Sequence, residues 1–141
     1  MRTASGERPR KRTSDGANKD TTRLDLGGFG ERIAADHLAS KGYRVFDRNF
    51  RVAEAEIDLI AEFGGEVVFV EVRTRKGGDR GMAALSVNVP KARKLRRAVG
   101  WYIESHPEFA ERALRIDVVT VELASDGKLQ RIEHIEDAIR G

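Results

Sequence analysis

Three charged residues interrupt two apolar segments in the first half of the sequence, and their types and spacing suit metal-ion chemistry. Asp58 lies within the segment 56–60, EIDLI, and Glu71 and Arg73 close the segment 67–73, VVFVEVR. An ionised carboxylate taken out of water costs several kcal/mol unless another group compensates its charge. A bound cation is one compensation, and two carboxylates suit a hard, oxygen-preferring ion such as Mg²⁺.

The two segments are predicted to be the strands of a β-hairpin. Gly64 and Gly65 lie between them, and paired glycines supply the positive φ angles that a tight two-residue turn needs. Because side chains alternate along a strand, Glu56 and Asp58 are expected to share a face with Ile60, with Ile57 and Leu59 on the other face. Glu71 and the arginine two residues later share a face in the same way. The pattern therefore predicts that two acids and a base converge on the hairpin.

The order of these motifs resembles a known nuclease superfamily. An acid on one strand, here Asp58, followed by an acid-x-base triplet, here Glu71-Val72-Arg73, is similar to the PD-(D/E)xK pattern. Other blocks follow in order and narrow the resemblance to the YraN-like family of small bacterial proteins, over roughly Leu26 to Leu123. These blocks are Gly27-Gly28-Phe29-Gly30-Glu31, Asn49-Phe50-Arg51, Phe69-Val70-Glu71-Val72-Arg73-Thr74-Arg75, Lys91, Lys94-Leu95 and Arg115-Ile116-Asp117-Val118-Val119.

The resemblance implies a restriction-endonuclease-like α/β fold and a metal-dependent nuclease. It implies Asp58 and Glu71 as ligands of Mg²⁺ or Mn²⁺, with Glu31 and Glu56 assisting, and it places Glu31 among the catalytic residues. The superfamily has a lysine at the position of Arg73. An arginine side chain is always protonated, so Arg73 is not a general base, but it can neutralise charge and position a phosphate oxygen.

A basic segment predicts contact with nucleic acid, and the resemblance to a nuclease family makes DNA the expected partner. Five basic residues crowd the N-terminal half of a predicted helix over Asn88–Ser105, with few acids to balance them; they are Lys91, Arg93, Lys94, Arg96 and Arg97. Such a footprint indicates phosphate binding, whereas the simpler interpretation is a solvated helix face. Lys91 and Lys94 match the family pattern. Arg75 lies in a family block and is grouped with them, and Arg51 is expected to steer a phosphate or to pair with Glu54.

The remaining elements predict one folded domain over residues 23–141, preceded by a basic arm. Residues 1–22 have almost no large apolar side chains, so we expect a disordered arm that either improves solubility or contacts phosphates. The domain is expected to follow the order helix, three strands, helix and two strands, which is a single α/β domain with a central mixed sheet. The predicted bounds are helix Leu26–Lys41, strands Tyr43–Val52, Ala53–Phe63 and Glu66–Arg75, a mobile loop Lys76–Val87, strands Arg115–Leu123 and Leu129–Ile132, and a short C-terminal helix.

Composition narrows the class of protein. The chain has 141 residues, 35% of them charged, a net charge of +3 and no cysteine. The absence of cysteine excludes disulfides and thiolate metal sites, and no apolar run approaches the length of a membrane span. The N-terminus lacks the apolar core of a signal peptide, so we expect a cytoplasmic protein without membrane contact. A nuclease that cuts both strands is often a dimer, which makes a homodimer an expectation.

Three functions are compatible with these patterns. The first is a Mg²⁺-dependent nuclease acting on DNA or structured nucleic acid. The second is a nucleic-acid-binding module that keeps the fold and the basic helix but not the turnover. The third is an interaction protein in which the acids only pair with Arg73 and Arg75. For Glu31 a structural alternative exists as well, since an acid in the first turn of a helix interacts favourably with the helix dipole.

Overall fold

A computed structural model describes residues 21–77 and 89–139, with side chains from residue 27 and from residue 90 in the two ranges. The elements are helix α1 (Thr21–Ser40), strands β1 (Arg44–Val52), β2 (Ala55–Phe63) and β3 (Glu66–Lys76), helix α2 (Val89–Ser105), a 3₁₀ turn (Pro107–Phe109), and strands β4 (Leu114–Leu123) and β5 (Leu129–Ile135). This order confirms the predicted α/β domain. Neither described helix combines the length and the apolarity that a membrane span requires.

Several predictions fall on residues outside this part of the chain. The basic arm lies there except for Thr21 and Thr22, which belong to α1. The glycine-rich loop lies there from residue 78 onward, as does Asn88, the expected N-cap of α2. No helix follows β5 within the described residues, where 136–137 form a turn, so the expected short C-terminal helix is wrong as far as residue 139.

The five strands form one mixed sheet in the order β1-β2-β3-β4-β5. Strands β3 and β4 are parallel, and the other neighbours are antiparallel. The β2–β3 hairpin closes at the pair Phe63–Glu66, and its turn residues Gly64 and Gly65 have φ angles of +57° and +84°. Two consecutive positive φ angles are what a type I′ turn requires, which explains the paired glycines.

The helices cover opposite faces of the sheet. Helix α1 buries Ala34, Ala35 and Leu38 against one face, and it ends where Gly42 adopts a φ of +96°. The N–H groups of Gly42 and Tyr43 donate to the carbonyls of Ala39 and Leu38, a Schellman arrangement that satisfies the last turn. Helix α2 buries an apolar stripe against the other face, made of Leu95, Ala98, Val99 and Tyr102.

Strand β2 changes face at Asp58, which differs from the predicted alternation. Ile57 and Ile60 both pack in the cluster under α2, whereas Leu59 packs in the cluster under α1. The pairing of β2 with β3 also ends here, at Leu59–Val70. Beyond that pair the backbone N–H of Val72 donates to Asp58 Oδ2 at 2.7 Å instead of to a strand carbonyl. The Asp58 side chain thus takes the place of the next backbone hydrogen bond between β2 and β3, and a space remains beside it.

Asp117 on β4 forms the centre of a buried polar network. Its side chain is 0% exposed and accepts hydrogen bonds at 2.8–2.9 Å from the Arg115 guanidinium, His134 Nε2 and the backbone N–H of Asp137. Burial alone raises the pKa of Asp117, but the hydrogen bonds from His134 and Arg115 outweigh it and hold the pKa below its ordinary value. The network ties β5 and the segment after it to the sheet.

Gly30 allows α1 to lie against β3. A Cβ atom at this position would lie 1.9 Å from Thr74 Oγ1, a distance that real Cβ contacts do not reach, and 3.0 Å from Thr74 Cβ. Threonine is stiff at χ1, so the strand side chain cannot simply turn away. The contact fixes the depth of the helix, and therefore of the next residue, Glu31, relative to the sheet.

We expect Gly30→Ala to lower the free energy of unfolding by about 1–3 kcal/mol because it overpacks this contact. The matched control is Gly28→Ala in the same helix, where the nearest atom is the end of the flexible Arg32 side chain at 3.9 Å. That change is expected to stabilise the protein by roughly 0.5–1 kcal/mol, the usual gain from replacing a helical glycine. Urea unfolding measures both. Equal effects of the two substitutions would show that the Thr74 contact does not limit the packing.

Candidate metal and nucleic-acid site

A cleft opens where β2 and β3 separate, and the N-terminal half of α2 forms its other wall. Its volume is about 570 Å³. The sheet contributes mainly acids and the helix mainly bases. The lining residues are Glu54, Ala55, Glu56, Asp58, Glu71, Val72, Pro90, Lys91, Lys94 and Leu95.

Three carboxylates meet beside this cleft. One oxygen each of Glu31, Glu56 and Asp58 lies within 4.8 Å of the others, although the residues come from α1 and β2. Glu31 was expected in the first turn of its helix, but α1 begins at Thr21, so Glu31 lies in the middle of the helix, away from the positive end of the dipole. The helix-dipole interpretation of Glu31 is therefore wrong.

Burial and mutual repulsion oppose the ionisation of these acids. The pKa of Asp58 rises to about 8, first because the side chain is buried and then because Glu71, Glu31 and Glu56 carry negative charge nearby; the hydrogen bond from Val72 opposes the rise in part. The pKa of Glu31 rises to about 7, through burial and the charge of Glu56. A divalent cation among the oxygens would relieve both effects, so the donor set fits a hard cation.

Asn49 joins the acidic group, and the sequence patterns gave it no role. With its amide turned so that the nitrogen faces the acids, it donates to Glu56 Oε2 at 3.1 Å and to Glu31 Oε1 at 3.2 Å. Its φ of +52° lies in the left-handed region, which asparagine tolerates better than most residues. The available signal was its place in the Asn49-Phe50-Arg51 block of the resembled family.

Glu71 faces the cleft with a different set of partners. Its side chain is 6% exposed, and Oε2 lies 2.8 Å from Lys91 Nζ and 3.5 Å from Arg73 Nε. It does not belong to the group of three mutually close carboxylates. Three of the four predicted acids therefore line one cleft, and Glu31 lies beside two of them. Glu71 differs from the others because two basic side chains of the protein neighbour its carboxylate. In the superfamily motif, a lysine follows this acid by two residues, where the present chain has Arg73. Here Lys91 on α2 places an ammonium group beside Glu71.

The other predicted phosphate-binding residues lie at different distances from the acids. Arg51 Nε is 3.5 Å from Glu56 Oε2, so its acidic partner is Glu56 and not Glu54 as suggested by the sequence. Glu54 pairs instead with Lys94, at 3.2 Å, on the rim of the cleft. Arg75 is half-buried on β3, further along the strand than Arg73.

Comparison with known proteins gives the family. The sequence profile of the uncharacterised protein family UPF0102 matches residues 30–121. A UPF0102 protein of Frankia casuarinae is 43% identical over 113 residues, covering 80% of this chain and 94% of that protein. One of Roseiflexus castenholzii is 41% identical over 117 residues, covering 83% of this chain and 94% of that protein.

Among solved structures, that of Pyrococcus furiosus SfsA in complex with Ca²⁺ matches with a TM-score of 0.30 and 20% identity. The match covers 82% of this chain and 63% of the SfsA chain. The residues that the family profile matches include the positions of all four acids and of Lys91. As the resemblance to YraN-like proteins predicted, the chain belongs to the uncharacterised protein family UPF0102.

Proposed function

We propose that this protein is a divalent-metal-dependent nuclease that hydrolyses phosphodiester bonds in DNA or structured nucleic acid. The observation that carries the proposal is the meeting of Glu31, Glu56 and Asp58, three carboxylates with oxygens within 4.8 Å of one another, at a cleft whose opposite wall is basic. Acids with raised pKa values in a cleft are characteristic of functional sites. Here the acidic residues are placed to bind a cation, and the basic residues are placed to bind a phosphate.

The acids would hold Mg²⁺ or Mn²⁺, with Glu31, Glu56 and Asp58 nearest and Glu71 adjoining. A divalent ion bound there would supply an activated water and would neutralise charge that develops on the phosphate. With its amide nitrogen turned toward the acids, Asn49 donates to Glu56 and Glu31 and so orients both carboxylates. The backbone N–H of Val72 fixes one oxygen of Asp58, so the orientation of that carboxylate is set before any ligand arrives.

The basic residues would bind the substrate and stabilise its charge. Arg73 stays protonated and so positions a phosphate oxygen without accepting a proton. Lys91 brings an ammonium group to the same acid from α2, at 2.8 Å, and supplies the lysine charge that the motif lacks on the strand. Lys94, half-exposed at the rim, and Arg51, exposed on β1, extend this positive surface outward. DNA as the preferred substrate, a homodimer and a cytoplasmic location remain predictions.

A second candidate function is a binding module without turnover. The pairing of Glu71 with both Lys91 and Arg73 supports it, because this acid is already compensated by the protein. In such a module the basic helix would still bind phosphates, and the acids would only shape the cleft.

Cleavage assays separate the two candidates. We expect the wild type to cut labelled linear or branched DNA or RNA in Mg²⁺ or Mn²⁺ and not in EDTA. Glu71→Gln keeps the shape of the side chain but removes its charge, and we expect it to lower the cleavage rate by roughly 10–100-fold. The control is Glu111→Gln, an exposed acid after the 3₁₀ turn, which is expected to leave the rate unchanged.

Binding of these substrates without cleavage in any metal would favour the module. Metal binding itself is measured by calorimetry on the same preparations. Equal cleavage rates for the wild type and Glu71→Gln would show that Glu71 takes no part in catalysis. The absence of both metal binding and nucleic-acid binding would contradict both candidate functions.

A further inference from the structure

Trp101 is a large aromatic side chain that α2 presents to the solvent. It is 52% exposed, the largest fraction among the exposed large apolar side chains of the described residues. Leu95, Ala98 and Tyr102 of the same helix are buried against the sheet. The helix therefore has a complete apolar stripe without Trp101, and packing within the described fold does not account for an indole at this position.

A small cavity adjoins the ring and continues the cleft. Its volume is about 140 Å³, and its lining residues are Val52, Ala53, Glu54, Ala55, Lys94, Arg97, Ala98 and Trp101. Three of them, Glu54, Ala55 and Lys94, also line the cleft beside the acids. The two spaces are therefore adjacent on the surface, separated by residues that line both.

Basic residues of α2 lie between the acids of the cleft and the ring of Trp101. Lys94, Arg97 and Trp101 are spaced by three and four residues, so they lie on one side of α2. Lys91 precedes them by one turn and contacts Glu71. A helix rises about 1.5 Å per residue, which puts Trp101 roughly 15 Å from Lys91 along the axis. Basic side chains between Lys91 and Trp101, with an aromatic ring at the end, match a ligand that has a charged backbone and flat side groups.

We propose that Trp101 and this small cavity hold the base of an unpaired nucleotide, next to the cleft that would bind the scissile phosphate. The inference rests on the proposed function and names its substrate class, nucleic acid with at least one unstacked base beside the cleavage point. Stacking on an aromatic side chain contributes about 1–3 kcal/mol per base. Bases inside a duplex are already stacked and cannot use the ring without leaving the helix.

The sequence provides a direct probe, because Trp101 is the only tryptophan of the chain. Its fluorescence is recorded while the full-length protein is titrated, in EDTA and at constant low salt, with an oligothymidylate of about 12 nucleotides. The comparison ligands are an abasic strand of the same length, the matching duplex and an oligouridylate. We expect quenching by the strands that carry bases, little quenching by the abasic strand, and less by the duplex than by the single strand.

Substitution at the ring tests the contribution of stacking. Trp101→Ala is expected to weaken binding of the oligothymidylate by roughly 5–100-fold, the range that corresponds to one stacked base, and Trp101→Phe to recover part of the loss. Binding of these variants is followed by fluorescence anisotropy of labelled strands. The control is Leu129→Ala, which removes an exposed apolar side chain at the start of β5 and is expected to change nothing.

The outcomes separate this inference from the nuclease proposal. Equal quenching by the abasic and base-carrying strands, or equal affinity of the wild type and Trp101→Ala for the oligothymidylate, would overturn the base site even if Mg²⁺-dependent cleavage is present. Base-dependent quenching without cleavage in any metal would support the base site and contradict the nuclease. Quenching by oligothymidylate or by oligouridylate alone would support the site and assign it to DNA or to RNA.

Discussion

Asp58→Asn is expected to abolish metal-dependent cleavage and, without divalent cations, to make the protein more stable. The substitution keeps an oxygen that can accept the N–H of Val72, but it removes a carboxylate charge beside Glu31 and Glu56. Loss of a residue that only supports a metal ligand typically costs 10–100-fold, so loss of the ligand itself should exceed about 100-fold in rate. In EDTA the variant should unfold at a temperature several degrees above that of the wild type.

The stability difference should grow with pH. The pKa of Asp58 rises from 3.8 to about 8 on folding, so its contribution to stability is fully present below pH 3.8 and is lost as the pH increases through about 8. The metal-free wild type should therefore lose folding stability between pH 5 and pH 9 relative to Asp58→Asn. Saturating Mg²⁺ should reverse the order, because it binds the folded wild type and not the variant.

Thermal unfolding in EDTA and in Mg²⁺, at both ends of this pH range, measures these effects. Asp36→Asn on the exposed side of α1 is the control for removing a negative charge. A variant that is less stable than the wild type in EDTA at high pH would show that Asp58 is compensated inside the protein. Cleavage at the wild-type rate would exclude Asp58 as a metal ligand.

Asp117→Asn is expected to lower the free energy of unfolding by about 3–5 kcal/mol, the cost of leaving a buried charge without its partner. The Arg115 guanidinium would then keep Glu66 and Tyr43 as partners but lose the bidentate carboxylate. His134, 2% exposed, would compete with Arg115 and the N–H of Asp137 for the single oxygen of the amide. Because the pKa of Asp117 is lowered on folding, the wild type should also lose this contribution as the pH falls below about 4.

Urea unfolding followed by circular dichroism measures the loss, with Asp36→Asn again as the charge control. A decrease below about 1 kcal/mol would mean that the network rearranges around an amide. The experiment also tests the assignment of Asp117 as structural, since a folded variant with normal metal binding would separate this network from the cleft.

The local sequence predicts the sheet well because its main signals are local. Gly64 and Gly65 have the positive φ angles that their pairing predicted, and the apolar run before Glu71 is buried. The hairpin alone brings Asp58 and Glu71 near each other. Their common cleft therefore follows from two strands and one turn.

The composition of the acidic group could not be predicted in the same way, because it depends on tertiary structure. Glu31 reaches it only because Gly30 lets α1 approach Thr74. Asn49 reaches it through a left-handed backbone conformation that no periodicity indicates. Alternation along β2 was predicted to continue, yet the end of the β2–β3 pairing changes the face at Asp58. The ion pair between Lys91 and Glu71 depends on how α2 crosses the sheet.

The hydrogen bond from Val72 to Asp58 makes one amide of the main chain a reporter of the cleft. Amides inside a sheet exchange with solvent deuterium when their strands separate. The amide of Val72 is held by a carboxylate instead, so its exchange follows the charge and the position of that side chain. A single resonance in the spectrum of the ¹⁵N-labelled protein therefore registers a ligand in the cleft, even one that has no colour, no fluorescence and no turnover.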